Sequence, residues 1–259
     1  MEKENKIRTH NDSSGKGRLY IVGIGPGGPL HLTQRAKEAL KDADLIAGYK
    51  RYIGLIAPLI EGKEVFSNGM TEEATRCRFA IDAARTGKKV AVISSGDSGI
   101  YGMAGLILEL LKGNSDIEVE VIPGVPAFVA ASSLLGAPLM HDFASISLSD
   151  LLTDWVKIEE RVEAAAKADF VIILYNPKSS KRVEGLKKAL DIIRRHRGGK
   201  TPVGFVRNAT REGEEAIATT LGDFDRLFQK TDMLSIIIVG NSSTFIDNNR
   251  IITPRGYNI

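Results

Sequence analysis

The chain of 259 residues is long enough for one large domain or two of ordinary size. Its 43% hydrophobic and 26% charged residues are typical of a soluble globular protein, and the net charge of +3 comes from dispersed lysines and arginines, which disfavours nucleic acid as a partner. The single cysteine excludes an intrachain disulfide, and no apolar run approaches the roughly 18 residues of a membrane span.

The first half of the chain reads as alternating strands and helices. Residues 1–17 are polar and predict a disordered extension. From Arg18 onward, short β-branched apolar runs alternate with helical patterns, which predicts an α/β fold with a largely parallel sheet. The predicted strands are Leu19–Gly23, Leu45–Gly48, Val90–Ser94 and Val119–Ile122, and the predicted helices are Thr33–Asp42, Thr71–Arg85 and Tyr101–Leu111. Cys77 falls on the apolar face of the second helix, so we expect it to be buried.

A proline-containing joint, Ile122–Phe128, interrupts the pattern and predicts a boundary. It divides the folded chain into an N-terminal α/β domain, 18–123, and a C-terminal α/β domain, 124–259. The second domain has predicted helices at Ala127–Leu135 and Lys181–His196, and predicted strands at Ala144–Leu148, Phe170–Tyr175, Val203–Val206 and Leu234–Val239. A cleft between two such domains is the default place for a site.

The first glycine motif follows the first strand. Gly23, Gly25 and Gly28 satisfy the G-x-G-x-x-G fingerprint of dinucleotide-binding loops. That fingerprint also requires a helix at the third glycine and an acidic residue about 20 positions later. Pro29 follows the third glycine instead, and no carboxylate stands near Tyr49. The motif therefore predicts a loop that allows a bulky ligand to approach the backbone, and not a phosphate cradle.

A second glycine motif, Ser94–Gly102 ("SSGDSGIYG"), stands at the end of another strand. Its carboxylate, Asp97, could cap the helix that follows. It could equally accept hydrogen bonds from the hydroxyl or ammonium groups of a ligand. The motif alone leaves both interpretations open.

The order of the motifs supplies a resemblance. "GIGPGGPLHLT", "SSGDSGIYG" and "IPGVPAFVAASSLLGAPLMHDF" follow one another as in the tetrapyrrole methyltransferase family. Five further matches resemble the precorrin-3B and cobalt-factor III C17-methyltransferase subgroup of cobalamin biosynthesis: "HDFASISLSDLLTDW", "YNPKS", "GFVRNATREGE", "IIVGNSSTF" and "ITPRGY". The resemblance extends from about Arg18 to Tyr257.

The resemblance implies two α/β domains with a cofactor trough between them, a homodimer, and methylation of a tetrapyrrole at C17 with contraction of the ring. The implied cofactor is S-adenosylmethionine. The positions that it assigns to the cofactor are Pro26, Gly96, Asp97, Ser98, Ile100, Tyr101, Pro126, Ala127, Tyr175, Asn176, Asn208 and Ala209. Two of them depart from the family pattern, since related members often have proline at Ser98 and a small hydroxyl residue at Pro126.

The substrate and the proton transfers of ring contraction call for further residues. The substrate carries acetate and propionate groups, which predicts cationic contacts at Lys178, Arg207 and Arg211. Lys181 and Arg182 are also candidates, although a solvated face explains them equally well. Ser147 and Asp150 are further substrate-binding candidates. A histidine suits proton transfer near neutral pH, so His141 and its neighbour Asp142 are the catalytic candidates, with Ser147 and Asp150 beside them. We expect the two neighbours to point to opposite faces of an extended strand.

The sequence also predicts that some partners are absent, and it leaves alternative functions open. The four histidines show no ligand spacing, which disfavours a dedicated metal site. No signal peptide is visible, so we expect a cytoplasmic protein with no membrane or nucleic-acid partner. The alternatives are a family member that methylates C11, C20 or uroporphyrinogen III, a relative of diphthine synthase, or a noncatalytic ligand carrier. The sequence leaves open whether the substrate contains cobalt.

Overall fold

A computed structural model describes residues 16–114, 116–179 and 182–258. Most of the predicted extension, residues 1–15, lies outside the described residues. The folded chain divides into two compact units, of which the first contains the residues up to Ile24 together with Leu32–Gly124. The second contains Val125–Ile259 and also the short segment Gly25–His31. The sequence did not predict that this segment joins the second unit.

In the first unit, the described residues form five strands that alternate with four α-helices. They are β1 (Arg18–Gly23), α1 (Gln34–Asp42), β2 (Leu45–Tyr49), α2 (Lys50–Ile56), β3 (Glu64–Asn68), α3 (Glu73–Arg85), β4 (Lys89–Ser94), α4 (Ala104–Leu110) and β5 (Glu118–Ile122). The strands form one sheet in the order β3-β2-β4-β1-β5, and every ladder is parallel. This sheet confirms the predicted α/β class for the first half.

Burial on both faces explains the apolar runs of the central strands. In β1, Leu19 and Ile21 belong to a core on one face of the sheet, while Tyr20 and Val22 belong to a core on the other face. Helices cover both faces, as crossover connections between parallel strands require. Cys77 lies in the first of these cores with no exposed surface, and burial raises the pKa of its thiol to about 11. Its predicted burial is confirmed.

The part of the second unit that the structure describes contains three α-helices and eight strands. They are α5 (Ala127–Leu135), β6 (Gly136–Ala137), β7 (Phe143–Ser147), α6 (Trp155–Lys167), β8 (Val171–Tyr175), α7 (Glu184–Arg194), β9 (Pro202–Arg207), β10 (Glu215–Thr220), β11 (Ser235–Val239), β12 (Phe245–Asp247) and β13 (Arg250–Ile252). The main sheet has the order β10-β9-β11-β8-β7. Among the described residues, every helix and strand predicted from the sequence is present, with ends that differ by at most three residues.

The main sheet of the second unit is mixed, unlike the parallel sheet that was predicted and found in the first half. Only the β7–β8 ladder is parallel, while β8–β11, β11–β9 and β9–β10 are antiparallel. The physical reason is the connection between β9 and β10, which contains no helix and so permits an antiparallel hairpin. A small second sheet pairs the β12–β13 hairpin with β6. In the part of the chain that the structure describes, no helix is long and apolar enough to cross a membrane.

Candidate functional site

Three glycines meet at the carboxyl edge of the first unit's sheet. Because β1, β4 and β5 are parallel, the residues that follow them lie at the same edge. A Cβ atom built on Gly124 would lie 2.2 Å from the carbonyl oxygen of Gly96, and one built on Gly23 would lie 2.6 Å from the amide nitrogen of Gly124. Real Cβ atoms do not approach so closely, so this edge requires glycine for close backbone packing. Gly96 additionally has a φ of +72°.

Asp97 connects the loop after β4 to the loop after β5. Its Oδ1 accepts hydrogen bonds from the amides of Gly99 (2.8 Å) and Ile100 (3.1 Å), and its Oδ2 accepts one from the amide of Gly124 (3.0 Å). It does not cap a helix, because α4 begins at Ala104. Three of about four acceptor positions of the carboxylate are thus used within the protein, and one remains for a ligand donor.

The residues after Asp97 present one buried hydroxyl and two exposed side chains. Ser98 is fully buried, and its Oγ donates to the carbonyl of Ile122 at 3.2 Å. Ile100 and Tyr101 are 36% and 51% exposed, and Tyr101 has a left-handed backbone with φ of +55°. The hydroxyl therefore stabilises the loop, while the two larger side chains keep exposed surface.

The segment Gly25–His31 packs on the loop that follows β9. The Nε of Arg211 donates to the carbonyl oxygen of Pro26. A Cβ atom on Gly27 would lie 2.3 Å from the Oγ1 of Thr210, so the two backbones are in close contact. Pro26 and Gly27 are buried. The proposed cofactor residue Pro26 is therefore held in place by the second unit.

The carboxyl ends of β7, β8 and β9 share one edge of the second unit's sheet, since β7 is parallel to β8 and β11 is antiparallel to both β8 and β9. Asn176 and Asn208 follow two of these strands with left-handed φ values of +50° and +54°. Asn176 donates to the Oγ of Ser147 at 2.9 Å, and Asn208 donates through its Nδ2 to the carbonyl of Gly213 at 3.3 Å. The structure thus brings several candidates from distant parts of the sequence to one edge.

Pro126 and Tyr175 meet at the start of α5. Pro126 is the residue that precedes the helix, and the Oη of Tyr175 accepts a hydrogen bond from the amide of Phe128 at 3.2 Å. Ala127 packs partly buried against the adjoining core, and Ala209 is a buried member of that core. Neither alanine can contact a ligand through more than a methyl group and its backbone.

The candidate substrate cations already have partners within the second unit. Lys178 donates to the carbonyl of Phe228 at 2.7 Å and lies 4.7 Å above the ring centroid of the same residue. Arg207 pairs with Asp232 at 2.8 Å. Asp150 lies 3.7 Å from the guanidinium of Arg182, whose side chain also contacts Ser149 and Met233. The candidate Lys181 lies outside the described residues.

His141 and Asp142 lie at the opposite edge of the same sheet. They precede β7, whereas Ser147 ends it, and a five-residue strand spans about 13 Å. Both side chains are exposed. They form a bend and not a strand, so they do contact each other: the Nδ1 of His141 accepts from the amide of Asp142 at 2.8 Å and lies 3.7 Å from its carboxylate. The structure therefore separates the proposed proton-transfer pair from the other candidates of the second unit, which weighs against that role.

Sequence reasoning did not find Thr210 or Asp232. Thr210 has a φ of +63°, which is strained for a β-branched residue, and its buried Oγ1 has no hydrogen-bond partner among the described residues. Asp232 pairs with Arg207 and accepts from the amide of Leu234 at 2.8 Å. No local pattern indicated either residue, because the contacts that single them out, Thr210 with Gly27 and Asp232 with Arg207, join segments that are distant in the sequence.

A family model described as tetrapyrrole (corrin/porphyrin) methylases matches residues 18–225. The chain belongs to this family. The resemblance stated from the motifs is thereby confirmed, and with it the α/β fold class and the assignment to a family of methyltransferases.

Relatives cover nearly all of the folded chain. A probable cobalt-factor III C(17)-methyltransferase of Salmonella typhimurium is 51% identical over 93% of this chain and the whole of that protein. A cobalt-factor III methyltransferase of Priestia megaterium is 50% identical, and this chain spans 45% of its length. A precorrin-3B C(17)-methyltransferase of a Sinorhizobium species is 36% identical over 93% of this chain and 97% of that protein.

Solved structures share the fold. The crystal structure of the methyltransferase CobJ superposes with a TM-score of 0.87 at 33% identity, over 92% of this chain and all of that one. A uroporphyrin-III C-methyltransferase of Thermus thermophilus, solved in complex with S-adenosylhomocysteine, has a TM-score of 0.67 at 25% identity, over 86% of this chain and 97% of that one.

Proposed function

We propose that this protein transfers a methyl group from S-adenosylmethionine to C17 of cobalt-factor III, with contraction of the macrocycle, in cobalamin biosynthesis. The observation that carries the proposal is 51% identity over the full length of a relative named for this reaction. The relative named for the metal-free substrate precorrin-3B is 36% identical, which favours the cobalt form.

Asp97, at the carboxyl edge of the first unit's sheet, suits a cofactor with hydroxyl and ammonium donors. Its carboxylate keeps an acceptor position, and the side chain of Tyr101, four residues later, is 51% exposed. The proposed cofactor residues of the second unit are Pro26, Pro126, Ala127, Tyr175, Asn176, Asn208 and Ala209. That these residues and those of the loop after β4 bind the cofactor remains a prediction.

When bound, S-adenosylmethionine supplies a methyl group that its sulfonium already activates. The protein must therefore align this group with an electron-rich ring carbon and exclude water. The close packing of Gly23, Gly96 and Gly124 suits alignment, because it leaves the loops no room to shift.

The substrate has a broad apolar macrocycle bordered by carboxylates. Two leucines after β7, Leu151 and Leu152, are 65% and 100% exposed, and we propose that they contact the macrocycle. Ser147, Asp150, Lys178, Arg207 and Arg211 are the proposed polar contacts. Since Arg207 already pairs with Asp232, a substrate carboxylate there would have to share the guanidinium with that residue.

The test is incubation with S-adenosylmethionine labelled in its methyl group, with cobalt-factor III and precorrin-3B offered separately. We expect labelled product from the cobalt substrate, with label at C17 and the spectral change of a contracted ring. Label at another carbon would assign a different regiochemistry to the protein. Binding of S-adenosylhomocysteine without transfer to either substrate would indicate a carrier. A homodimer and a cytoplasmic location remain further predictions of the proposal.

A further inference from the structure

His31 differs from the other described histidines in its surroundings. The Nδ1 of His141 accepts from the amide of Asp142, and the Nε2 of His196 lies 2.5 Å from the carboxylate of Glu163. Over residues 16–114, 116–179 and 182–258, neither ring nitrogen of His31 has a hydrogen-bond or ion-pair partner. Its side chain is exposed, so both nitrogens are available to an external group.

The backbone that carries His31 is well anchored. Its amide donates to the carbonyl of Gly28 at 3.1 Å, closing the short 3-10 turn Pro29–His31. Gly25 has a φ of +73°, and a Cβ atom there would lie 2.6 Å from the carbonyl oxygen of His31. With Pro26 held by Arg211, the base of the turn is fixed while its tip projects.

This turn lies at the same edge of the second unit's sheet as the other candidate binding residues of that unit. It rests on Thr210 and Arg211, in the loop that follows the carboxyl end of β9. His141, by contrast, lies at the amino end of β7, at the opposite edge of the sheet. The tip also presents Leu30, which is 93% exposed. An apolar side chain beside a free imidazole suits contact with the face of a flat apolar ligand that carries a metal.

The described residues contain no group of three or more histidine, cysteine, aspartate or glutamate side chains that could hold a metal ion. A metallated tetrapyrrole does not require such a group. Its macrocycle supplies four nitrogen ligands in the plane, so that one axial imidazole from the protein completes the attachment, and imidazole is a common ligand of first-row transition metals.

We propose that the imidazole of His31 binds the cobalt of the tetrapyrrole substrate as an axial ligand, and that Leu30 packs on the macrocycle beside it. The imidazole donates a lone pair to cobalt in place of a water molecule, and no bond of the macrocycle changes. His31 would thereby select cobalt-containing over metal-free substrate. This inference rests on the proposed function, and specifies its substrate recognition.

The experiment measures binding of cobalt-factor III and of metal-free factor III to the full chain, with His31→Ala as the variant and His196→Ala, at an exposed histidine paired with Glu163, as the matched control. We expect the wild type and His196→Ala to prefer the cobalt form by roughly tenfold or more, equivalent to at least about 1.4 kcal/mol. His31→Ala should lose this preference and retain its affinity for the metal-free form.

A spectroscopic measurement identifies the ligand directly. With the cobalt reduced to Co(II), the electron paramagnetic resonance spectrum of the complex should show splitting by one axial nitrogen. The splitting should be absent in His31→Ala and return when free imidazole is added. Titration with S-adenosylhomocysteine checks that each variant is folded.

The outcomes distinguish a failure of the role of His31 from a failure of the proposed function. Equal preference in wild type and His31→Ala, or a wild-type spectrum without an axial nitrogen, would overturn the role of His31 and leave the methyltransferase proposal standing. If the wild type binds S-adenosylhomocysteine but neither tetrapyrrole, the proposed substrate class fails, and the role of His31 fails with it.

Discussion

The carboxyl edges of the two main sheets are held together by different kinds of contact. In the first unit, the edge consists of glycine backbones in direct contact, joined by the carboxylate of Asp97. In the second unit, the edge consists of side chains that bond to one another, such as Arg207 with Asp232 and Asn176 with Ser147. The first arrangement has no space for added atoms, whereas the second can lose one contact and keep the others.

This difference determines which substitutions each edge tolerates. Packed interiors respond strongly to an added methyl group, because the surrounding atoms cannot move apart without losing contacts. Half-exposed ion pairs contribute little to stability, since water and salt screen the charges. We therefore expect the largest losses of stability from additions at the first edge and modest changes at the second.

The largest effect should come from Gly124→Ala. The added Cβ would lie 2.2 Å from the carbonyl oxygen of Gly96, so the two loops must separate. We expect the free energy of unfolding to fall by about 3 kcal/mol or more. Urea titration followed by circular dichroism measures it. The matched control is Gly105→Ala in α4, where no described atom beyond the adjoining residues and backbone of the same helix lies within 4 Å of the added Cβ. Alanine there should stabilise the helix by about 0.5–1 kcal/mol. Equal stability of the two variants would contradict the close packing.

Asp97→Ala should have the next largest effect. It removes the acceptors of three backbone amides, those of Gly99, Ile100 and Gly124. We expect the free energy of unfolding to fall by about 2–3 kcal/mol. The dissociation constant of S-adenosylhomocysteine should also rise, by roughly tenfold or more. Calorimetry and urea titration measure the two quantities separately. A loss of stability with unchanged affinity would show that Asp97 only connects the loops.

A smaller change of opposite sign is expected from Thr210→Gly at the second edge. Glycine adopts the left-handed conformation without the cost that a β-branched residue incurs, and the change removes an unpaired buried hydroxyl. We expect a gain of up to about 1 kcal/mol in the free energy of unfolding. The control is Thr71→Gly, at an exposed position with a φ of +68° and no buried hydroxyl without a partner. A loss of stability in Thr210→Gly alone would mean that its packing against Gly27 outweighs the strain.

The smallest effect is expected from His141→Ala. The side chain is exposed at the opposite edge of the second sheet, so stability and binding of S-adenosylhomocysteine should not change measurably. We expect the rate of ring contraction to stay within about threefold of the wild-type rate in single-turnover measurements, which is well below the effect of removing a general acid or base. If His141 is the proton-transfer residue, as the sequence predicts, its removal should instead slow contraction by about a hundredfold and leave methylation partly intact. A slowing of that size would support the sequence-based assignment.

The sequence by itself was enough to locate the helices and strands and to indicate the family. The β-branched runs of β1, β4, β8 and β11 alternate with helical patterns, and this periodicity depends only on neighbouring residues, so strands and helices could be located to within a few positions. The motifs "GIGPGGPLHLT" and "SSGDSGIYG" carried the family resemblance in the same way, because each is a contiguous stretch.

Only the tertiary structure decided how these pieces meet. Asp97 bonds to an amide 27 residues away, and Arg211 reaches a carbonyl 185 residues earlier in the chain. Neither contact leaves a local pattern, since both depend on which strands lie side by side in the sheet. For the same reason the sequence could not show that Gly25–His31 joins the second unit, or that His141 and Ser147 lie at opposite ends of one strand. Side chains that share a motif can be held far apart, because an extended strand separates its ends by about 3.3 Å per residue.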